Sequence, residues 1–140
     1  MLNEDLTHRI LEACFEVSNE LGAGFLESVY EKALVIALRE KGLKAEAHVP
    51  LRVAFHGQIV GNFYADILVE NAVILELKAV RALLPEHQAQ ILNYLKATGV
   101  DVGMLINFAK PRLEYRRFER RMKESNEDER DKGGLGDGED

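Results

Sequence analysis

Three charged side chains interrupt two strand-like runs of the sequence that are otherwise apolar. Asp66 lies within the run Tyr64–Val69, and Glu76 and Lys78 lie within the run Val73–Lys78. Such runs are typical of strands in a sheet core, where a charge is costly unless it is paired or bound to a cation. The three charges therefore favour a divalent-metal site, and we interpret it as one that hydrolyses phosphodiesters.

The chemistry of these residue types suits that interpretation. Two converging carboxylates repel each other unless a cation joins them, and oxygen ligands favour Mg²⁺ or Mn²⁺ over zinc. The ion would polarise a phosphoryl oxygen and lower the pKa of a bound water. Lys78 would orient the attacking water and offset the charge that builds on the phosphate. The alternative is a structural acid–lysine pair within the sheet, because an acid-x-lysine pattern alone is a weak signal.

The connection between the two runs decides whether the acids can meet. Alternate residues of a strand face the same side of a sheet. A two-residue loop would pair Asp66 with Leu75 and would put Asp66 and Glu76 on opposite faces. We therefore predict an odd connection, either a three-residue loop that includes Ala72 or a bulge.

The hydrophobic periodicity and the turn residues predict the elements that must position this site. The predicted helices are Asp5–Leu21, Leu26–Lys41 and Pro85–Thr98, and the predicted strands are Ala45–Phe55, Gln58–Val69, Val73–Ala79, Val102–Asn107 and, as a strand or a helix start, Leu113–Phe118. A crossover helix makes the two strands that it joins parallel. The fold class is therefore α/β, with a mixed central β-sheet flanked by α-helices. Such sheets bind ligands where strands and helix ends diverge.

Length and composition indicate one compact domain with a hydrophobic core, since the chain has 140 residues and is 46% hydrophobic. No stretch approaches the roughly 18 apolar residues of a membrane span, and the N-terminus lacks the pattern of a secretory signal. We therefore expect a cytoplasmic protein without a membrane partner. The single cysteine, Cys14, excludes an internal disulfide and a cysteine-based metal cage.

The net charge of -6 is unevenly distributed. Residues 1–123 hold 16 basic and 16 acidic residues, whereas residues 124–140 hold 2 and 8. We expect a folded domain over 1–123 and an acidic, disordered tail over 124–140. A basic run before the tail comprises Lys110, Arg112, Arg116, Arg117, Arg120, Arg121 and Lys123. This run could hold phosphates, or it could be the solvated face of a strand and a helix end.

Four motifs in order resemble a known family. The segment Gly24–Tyr30 reads GFLESVY and resembles the motif after which the GxxExxY proteins are named. Asp66 with the later segment Glu76–Lys78 resembles the metal motif of the PD-(D/E)xK nuclease superfamily, to which that family looks related. Gln90 and Tyr94 match the Q-x-x-x-Y pattern of RecB-like members. The resemblance runs from about residue 5 to 118.

The resemblance implies a restriction-endonuclease-like core and a set of site residues. The implied metal ligands are Asp66, Glu76 and Glu27, and the implied catalytic residues are Lys78, Glu76, Asp66 and Gln90. The candidate substrate contacts are Tyr94 and Tyr30 from these motifs and Arg116 and Arg117 from the basic run. An alternative role for Glu27 is a first-turn carboxylate that satisfies free backbone amides. Ala65 departs from the superfamily pattern, which has proline there, but that position shapes the backbone and supplies no ligand.

Together these observations predict a nuclease that depends on Mg²⁺ or Mn²⁺ and hydrolyses phosphodiester bonds of DNA or RNA, with DNA the favoured partner. The alternative is a non-catalytic module that keeps the nuclease fold and serves as a nucleic-acid or protein adaptor. A third interpretation is a scaffold whose charges form a buried network. Because so small a domain has little surface to grip a duplex, we expect a homodimer or a larger assembly. No base-reading motif supports sequence specificity.

Overall fold

The structure, a computed structural model, describes residues 2–120. Over these residues the elements are α1 (Glu4–Leu21), α2 (Glu27–Glu40), β1 (Ala45–Phe55), β2 (Gln58–Val69), β3 (Val73–Lys78), α3 (Pro85–Thr98), β4 (Val102–Asn107) and β5 (Glu114–Glu119). The expected domain boundary after residue 123, the acidic tail 124–140 and the last two residues of the basic run lie outside this range. No helix within residues 2–120 is long and apolar enough to cross a membrane.

The strands form one mixed sheet in the order β1-β2-β3-β4-β5. Strands β3 and β4 are parallel, and the other neighbours are antiparallel. The crossover through α3 explains the parallel pair, as the sequence predicts. The α/β class with a mixed sheet and flanking helices is therefore confirmed.

The helices cover both faces of the sheet. Helices α1 and α2 pack on one face in a single buried cluster with the sheet, which includes Ile10, Cys14, Val17, Leu34, Leu38, Val73, Leu75, Met104 and Ile106. Helix α3 covers the other face, where its Ile91 and Leu95 pack against Leu105 and Ile74. Because adjacent residues of β3 point to opposite faces, its even-numbered side chains lie on the α3 side.

The register between β2 and β3 confirms the predicted odd connection. Val69 pairs with Val73 and Ile67 pairs with Leu75, so three residues form the loop. The loop is closed by a hydrogen bond of 2.9 Å from the Ala72 amide to the Val69 carbonyl oxygen. The same register places Asp66 opposite Glu76.

Strand β2 leaves β3 at the point where the acids lie. It pairs with β1 from Gln58 to Val69, but with β3 only from Ile67 to Val69. The β1–β2 hairpin therefore extends beyond the sheet, and the first residue at the divergence is Asp66. The base of this hairpin packs against α3, where the Phe63 and Tyr94 rings stack with centroids 4.0 Å apart.

The packing of α3 depends on a glycine in β4. A Cβ atom added at Gly103 would lie 2.9 Å from Ile91 Cδ1, 3.0 Å from Ile91 Cγ1 and 3.2 Å from Leu95 Cδ2. We expect Gly103→Ala to lower the free energy of unfolding by about 1–3 kcal/mol in urea titration, because α3 must shift or its side chains must leave their rotamers. Gly61→Ala in β2 is the matched control, since its nearest neighbour would be Val53 Cβ at 3.9 Å. Equal loss in both variants would contradict the close approach of α3 to β4.

Candidate active site

Asp66 and Glu76 lie where β2 separates from β3, and each carboxylate accepts a hydrogen bond from the strand that carries the other. The Leu77 amide donates a hydrogen bond of 2.7 Å to Asp66 Oδ2, and the Asp66 amide donates one of 3.2 Å to Glu76 Oε2. Each carboxylate thus takes the place of a backbone carbonyl where the regular ladder ends. The register and these two hydrogen bonds therefore bring the two acids together.

A local change of face in β2 directs Asp66 towards β3. Residues two apart in a regular strand share a face. Ala65, however, packs with Ile74 and Leu95 on the α3 side, whereas Ile67 belongs to the cluster under α1 and α2. The backbone must therefore twist at Asp66, which lies between them. Ala65 is fully buried at this point, so a small side chain suits the position.

Burial and mutual repulsion disfavour the charged forms of the two acids. Glu76 is only 4% exposed. Burial first, and then the Asp66 charge, raise the pKa of Glu76 to about 8, against the opposing effects of the Asp66 amide and Lys78. Burial also raises the pKa of Asp66, and the Leu77 amide and Lys78 oppose that rise. A cation between the carboxylates would remove much of this cost, since it favours both ionised forms.

Lys78 lies half-buried at the end of β3, beside both acids. Its positive charge lowers the pKa of Asp66 and of Glu76, yet no carboxylate of the described residues forms an ion pair with it within 4.0 Å. Its carbonyl oxygen accepts a hydrogen bond of 2.9 Å from the Phe108 amide, which fixes the strand end. The ammonium group is thus near the acids without being fully engaged by them.

The loop after Lys78 is held by Asn107, which the sequence analysis did not identify. Asn107 is fully buried. Its Oδ1 accepts from the Val80 amide at 3.1 Å, and its Nδ2 donates to the Val80 carbonyl at 2.9 Å and to Glu114 Oε1 at 3.0 Å. The register also pairs Asn107 with Lys78. A buried, hydrogen-bonded amide therefore supports the backbone that carries the lysine.

Glu27 lies on the rim of the site, at the start of α2. Its Oε2 accepts a hydrogen bond of 3.2 Å from the Ala79 amide, just beyond β3. The N-cap residue Leu26 makes no side-chain cap hydrogen bond, and the Glu27 carboxylate accepts from an amide outside its own helix. Its charge raises the pKa of Asp66 and Glu76, which places it within electrostatic reach of both.

The donor set suits a hard divalent cation held by two carboxylates. Within residues 2–120 no three His, Cys, Asp or Glu side chains are grouped so that they could hold a metal ion together. Proteins commonly hold Mg²⁺ with only one or two carboxylates, and water and substrate phosphates complete the coordination. Asp66 and Glu76 fit that pattern, because each uses only one oxygen in the hydrogen bonds described above. Glu27, the third metal ligand that the resemblance implies, is not grouped with these two acids in the described part of the chain.

Gln90 and Tyr94 line the α3 side of the site. Burial raises the pKa of Tyr94, and the charges of Glu76 and Asp66 raise it further, whereas a hydrogen bond with Gln90 lowers it. The hydroxyl group is therefore close enough to the acids to respond to their charges. The Tyr94 ring is held in place by its stack on Phe63.

Tyr30 lies in the core rather than on the site surface. It is fully buried, and its ring stacks on Phe108 with centroids 4.7 Å apart. Its hydroxyl donates to the Gly22 carbonyl at 2.6 Å and accepts from the Phe25 amide at 3.2 Å. Tyr30 thus fixes the turn between α1 and α2, and we leave it out of the substrate-contacting set.

Arg116 and Arg117 point to opposite faces of the sheet. Arg116 pairs with Leu105, which also pairs with Glu76, so these three residues form a row on the α3 side. Two strand spacings separate Arg116 from Glu76, about 10 Å. Arg117 pairs with Met104 on the α1 side, is 14% exposed, and bonds to Glu119 and to the Leu2 carbonyl. Only Arg116 therefore shares a face with the acids.

In the described part of the chain, acidic side chains lie close to several residues of the basic run. Lys110 and Arg116 approach Glu114 at 3.9 and 3.7 Å. Arg120 pairs with Asp101 at 2.7 Å. These contacts favour the interpretation of a solvated, ion-paired strand over that of an open phosphate-binding surface.

The sequence analysis also missed an ion pair beside Asp66. His48 Nε2 lies 2.7 Å from Glu31 Oε2. Glu31 follows Glu27 by four residues, a spacing that puts both on one helical face, and this signal could have identified Glu31. His48 carries no comparable signal, because its left-handed backbone conformation, with φ of 56°, cannot be read from its neighbours.

Comparisons with known proteins agree on the fold. A family model described as the PD-(D/E)XK nuclease superfamily matches residues 4–118. Among matching solved structures, one described as the crystal structure of SSO0001 aligns with a TM-score of 0.55 and 19% sequence identity, over 66% of this chain and 48% of that chain. This chain therefore spans about half the length of that protein, and so low an identity shows the fold alone. No curated protein matches the chain.

Proposed function

The chain belongs to the PD-(D/E)XK nuclease superfamily, and from this premise we propose that it is a metal-dependent nuclease that hydrolyses phosphodiester bonds of DNA or RNA. The expected restriction-endonuclease-like fold is confirmed. Superfamily membership supports a nuclease fold, and the activity itself is the proposal.

The observation that carries the proposal is the paired arrangement of Asp66 and Glu76. Their carboxylates are held by backbone amides of the facing strands at 2.7 and 3.2 Å, so both are positioned before any ligand arrives. A scaffold would gain little from burying two repelling acids, because apolar residues of similar volume are usually as stable or more so. Function is the simpler reason to keep them.

The proposed roles follow from the placement of each side chain. A bound Mg²⁺ or Mn²⁺ supplies a Lewis acid for the phosphoryl group, and Asp66 and Glu76 would hold it. Lys78 Nζ orients the attacking water and stabilises the negative charge that develops on the phosphate oxygens. Tyr94 and Gln90 line the α3 side of the site and position the nucleotide beside the two acids. Glu27 steadies the end of β3 through the Ala79 amide.

The expected partner is nucleic acid, with DNA favoured over RNA. Of Arg116 and Arg117, Arg116 is the one on the face of the acids. We propose that it contacts a phosphate at a distance from the cleaved bond, beside the Glu114 carboxylate that it approaches at 3.7 Å. A homodimer or larger assembly, which would enlarge the grip on a duplex, stays a prediction, and a solution mass that shows only monomer would contradict it. Cytoplasmic location likewise stays a prediction.

Cleavage of a labelled panel of linear and circular DNA and RNA tests the proposed function. In Mg²⁺ or Mn²⁺ we expect wild-type cleavage and a loss of at least about 10²-fold in Glu76→Gln purified identically. The change keeps the side chain's shape and an oxygen acceptor for the Asp66 amide, so it removes charge rather than packing. Preference for circular over linear substrates would indicate internal attack. Absence of wild-type cleavage, combined with binding of nucleic acid, would instead support the adaptor interpretation.

A further inference from the structure

The ion pair of Glu31 and His48 adjoins the proposed site without having a role in it so far. His48 Nε2 lies 2.7 Å from Glu31 Oε2, and the two side chains are 70% and 13% exposed. Glu31 lies on α2, one turn after Glu27, and His48 lies on β1. The acid therefore holds one ring nitrogen, while most of the imidazole faces solvent.

The backbone of His48 is unusual for its position. Its φ is 56°, and among the described non-glycine residues with positive φ it alone lies inside a strand. The others are at a helix start or in turns. Left-handed backbone costs about 1–2 kcal/mol for a residue with a side chain, and such strain concentrates at functional sites. A strained, exposed histidine within a strand calls for a reason other than stability.

The register brings His48 opposite Asp66. Ala47 pairs with Ile67 and Val49 pairs with Ala65, so His48 and Asp66 are the facing residues between these two pairs. Both strands are irregular at the same level, since β2 changes face at Asp66. Asp66 thus lies between β3, which carries Lys78, and β1, which carries His48.

The charges support this placement. Lys78 and His48 both lower the pKa of Asp66, whereas Glu27 raises it. The imidazole is therefore within electrostatic reach of the carboxylate, from the side opposite to Lys78. A phosphodiester strand that passes the acids would meet a basic group on either side of them.

We propose that His48, oriented by Glu31, contacts a phosphate of the substrate strand next to the one that is cleaved, and that Glu31 acts as its positioning residue. This contact requires the doubly protonated imidazolium, in which Nε2 faces Glu31 and Nδ1 donates the hydrogen bond to the phosphate oxygen. This inference rests on the proposed function and adds a further phosphate contact to those of Lys78 and Arg116. Positioning contacts of this kind hold the strand in register without reading its sequence.

The chain offers a matched control for the test. His56, at the tip of the β1–β2 hairpin, is also exposed and also has a left-handed backbone, with φ of 51°. Asparagine tolerates this conformation better than most residues. His48→Asn and His56→Asn therefore make the same chemical change on the same backbone, near the site and away from it. We expect both variants to melt within a few degrees of the wild type.

Kinetics and salt dependence give the readouts. On a short labelled DNA we expect His48→Asn to raise KM about tenfold with kcat changed less than about threefold, and His56→Asn to match the wild type. With EDTA present and at about pH 5.5, where an ordinary imidazole carries its second proton, the slope of log binding constant against log salt should decrease in magnitude by about 0.7–0.9 for His48→Asn. Glu31→Ala should raise KM less, and should add little to the effect of His48→Asn in the double variant.

The outcomes separate the inference from the proposed function. Equal KM and equal salt slope for His48→Asn and His56→Asn, with both enzymes active, overturn the inference alone. His48→Gly accepts the left-handed backbone without strain, so wild-type KM in that variant also overturns it, since the residue would then act only through its backbone. If the wild type cleaves no better than Lys78→Met, the proposed function fails and the inference fails with it.

Discussion

Replacing Lys78 by methionine should lower the rate of phosphodiester cleavage by about 10²–10³-fold without unfolding the protein. The ammonium group lies beside Asp66 and Glu76, as its effect on the pKa of both acids shows. Methionine keeps an unbranched stem of similar length but has no charge and no N–H donor. The variant therefore loses the group that orients water and stabilises charge on the phosphate.

The fold should survive this change because the backbone of Lys78, rather than its ammonium group, makes the hydrogen bonds that hold the end of β3. Lys78 pairs with Asn107 across the parallel strands, and its carbonyl oxygen accepts from the Phe108 amide. The side chain is half-buried and has no ion pair within 4.0 Å among the described residues. We expect the free energy of unfolding to change by less than about 1 kcal/mol.

Lys96→Met is the control for this experiment, because Lys96 is exposed in the last turn of α3. It should cleave like the wild type. Initial rates in Mg²⁺ and urea titrations of all three proteins separate loss of chemistry from loss of folding. A Lys78→Met protein that is folded and retains more than about a tenth of the wild-type rate would remove Lys78 from the catalytic set.

The central part of the site could be predicted from the sequence because it depends on strand periodicity. Asp66 and Glu76 can share a face only if the connection has an odd number of residues, and the structure has three. The element order also predicts the parallel pair of β3 and β4, since only a crossover helix joins them. Local alternation and chain connectivity were sufficient for both conclusions.

The rest of the site depends on geometry that periodicity does not encode. The pattern that places Tyr30 one turn after Glu27 is equally compatible with a core residue, and the hydrogen bonds of Tyr30 to Gly22 and Phe25 decide for the core. Adjacent residues of an edge strand must point to opposite faces, so Arg116 and Arg117 could not both face the substrate. That rule was available from the sequence alone.

The pair of Glu31 and His48 was missed for a different reason. It joins α2 to β1 at a place where the backbone of the hairpin is irregular, and irregular backbone follows from tertiary packing rather than from local preference. The twist of β2 at Asp66 becomes evident only in the structure, where Ala65 and Ile67 pack on different faces of the sheet. Functional residues at irregular positions are thus the ones that periodicity predicts least well.

Glu76→Gln should stabilise the metal-free protein, and the gain should grow with pH. Burial and the Asp66 charge raise the pKa of Glu76 to about 8 from an ordinary value of 4.5. Between these two values the folded state holds a proton that the unfolded chain has released, so stability decreases as pH rises. The slope is at most about 1.4 kcal/mol per pH unit. Glutamine does not ionise, so the variant does not lose stability in this way as pH rises.

Urea titrations in EDTA should therefore show similar stability for wild type and Glu76→Gln near pH 5, with the variant more stable by about 2–4 kcal/mol at pH 8. Added Mg²⁺ should narrow or close this gap. Ligand at a hundred times its dissociation constant stabilises the wild type by about 2.7 kcal/mol, whereas the variant lacks one of the two carboxylates and should gain much less. Glu46→Gln, an exposed change on β1, controls for the loss of a glutamate as such.

These measurements would distinguish a functional acid pair from a structural one. The raised pKa alone makes Glu76→Gln the more stable protein at pH 8, whatever the role of Glu76, so the response to the metal distinguishes the two roles. Mg²⁺ should leave the wild type unchanged if the carboxylate serves only the fold, whereas it should stabilise the wild type if the carboxylate is kept for a cation. No response of the wild type to Mg²⁺ or Mn²⁺ would make Asp66 and Glu76 a structural network and contradict the proposed nuclease.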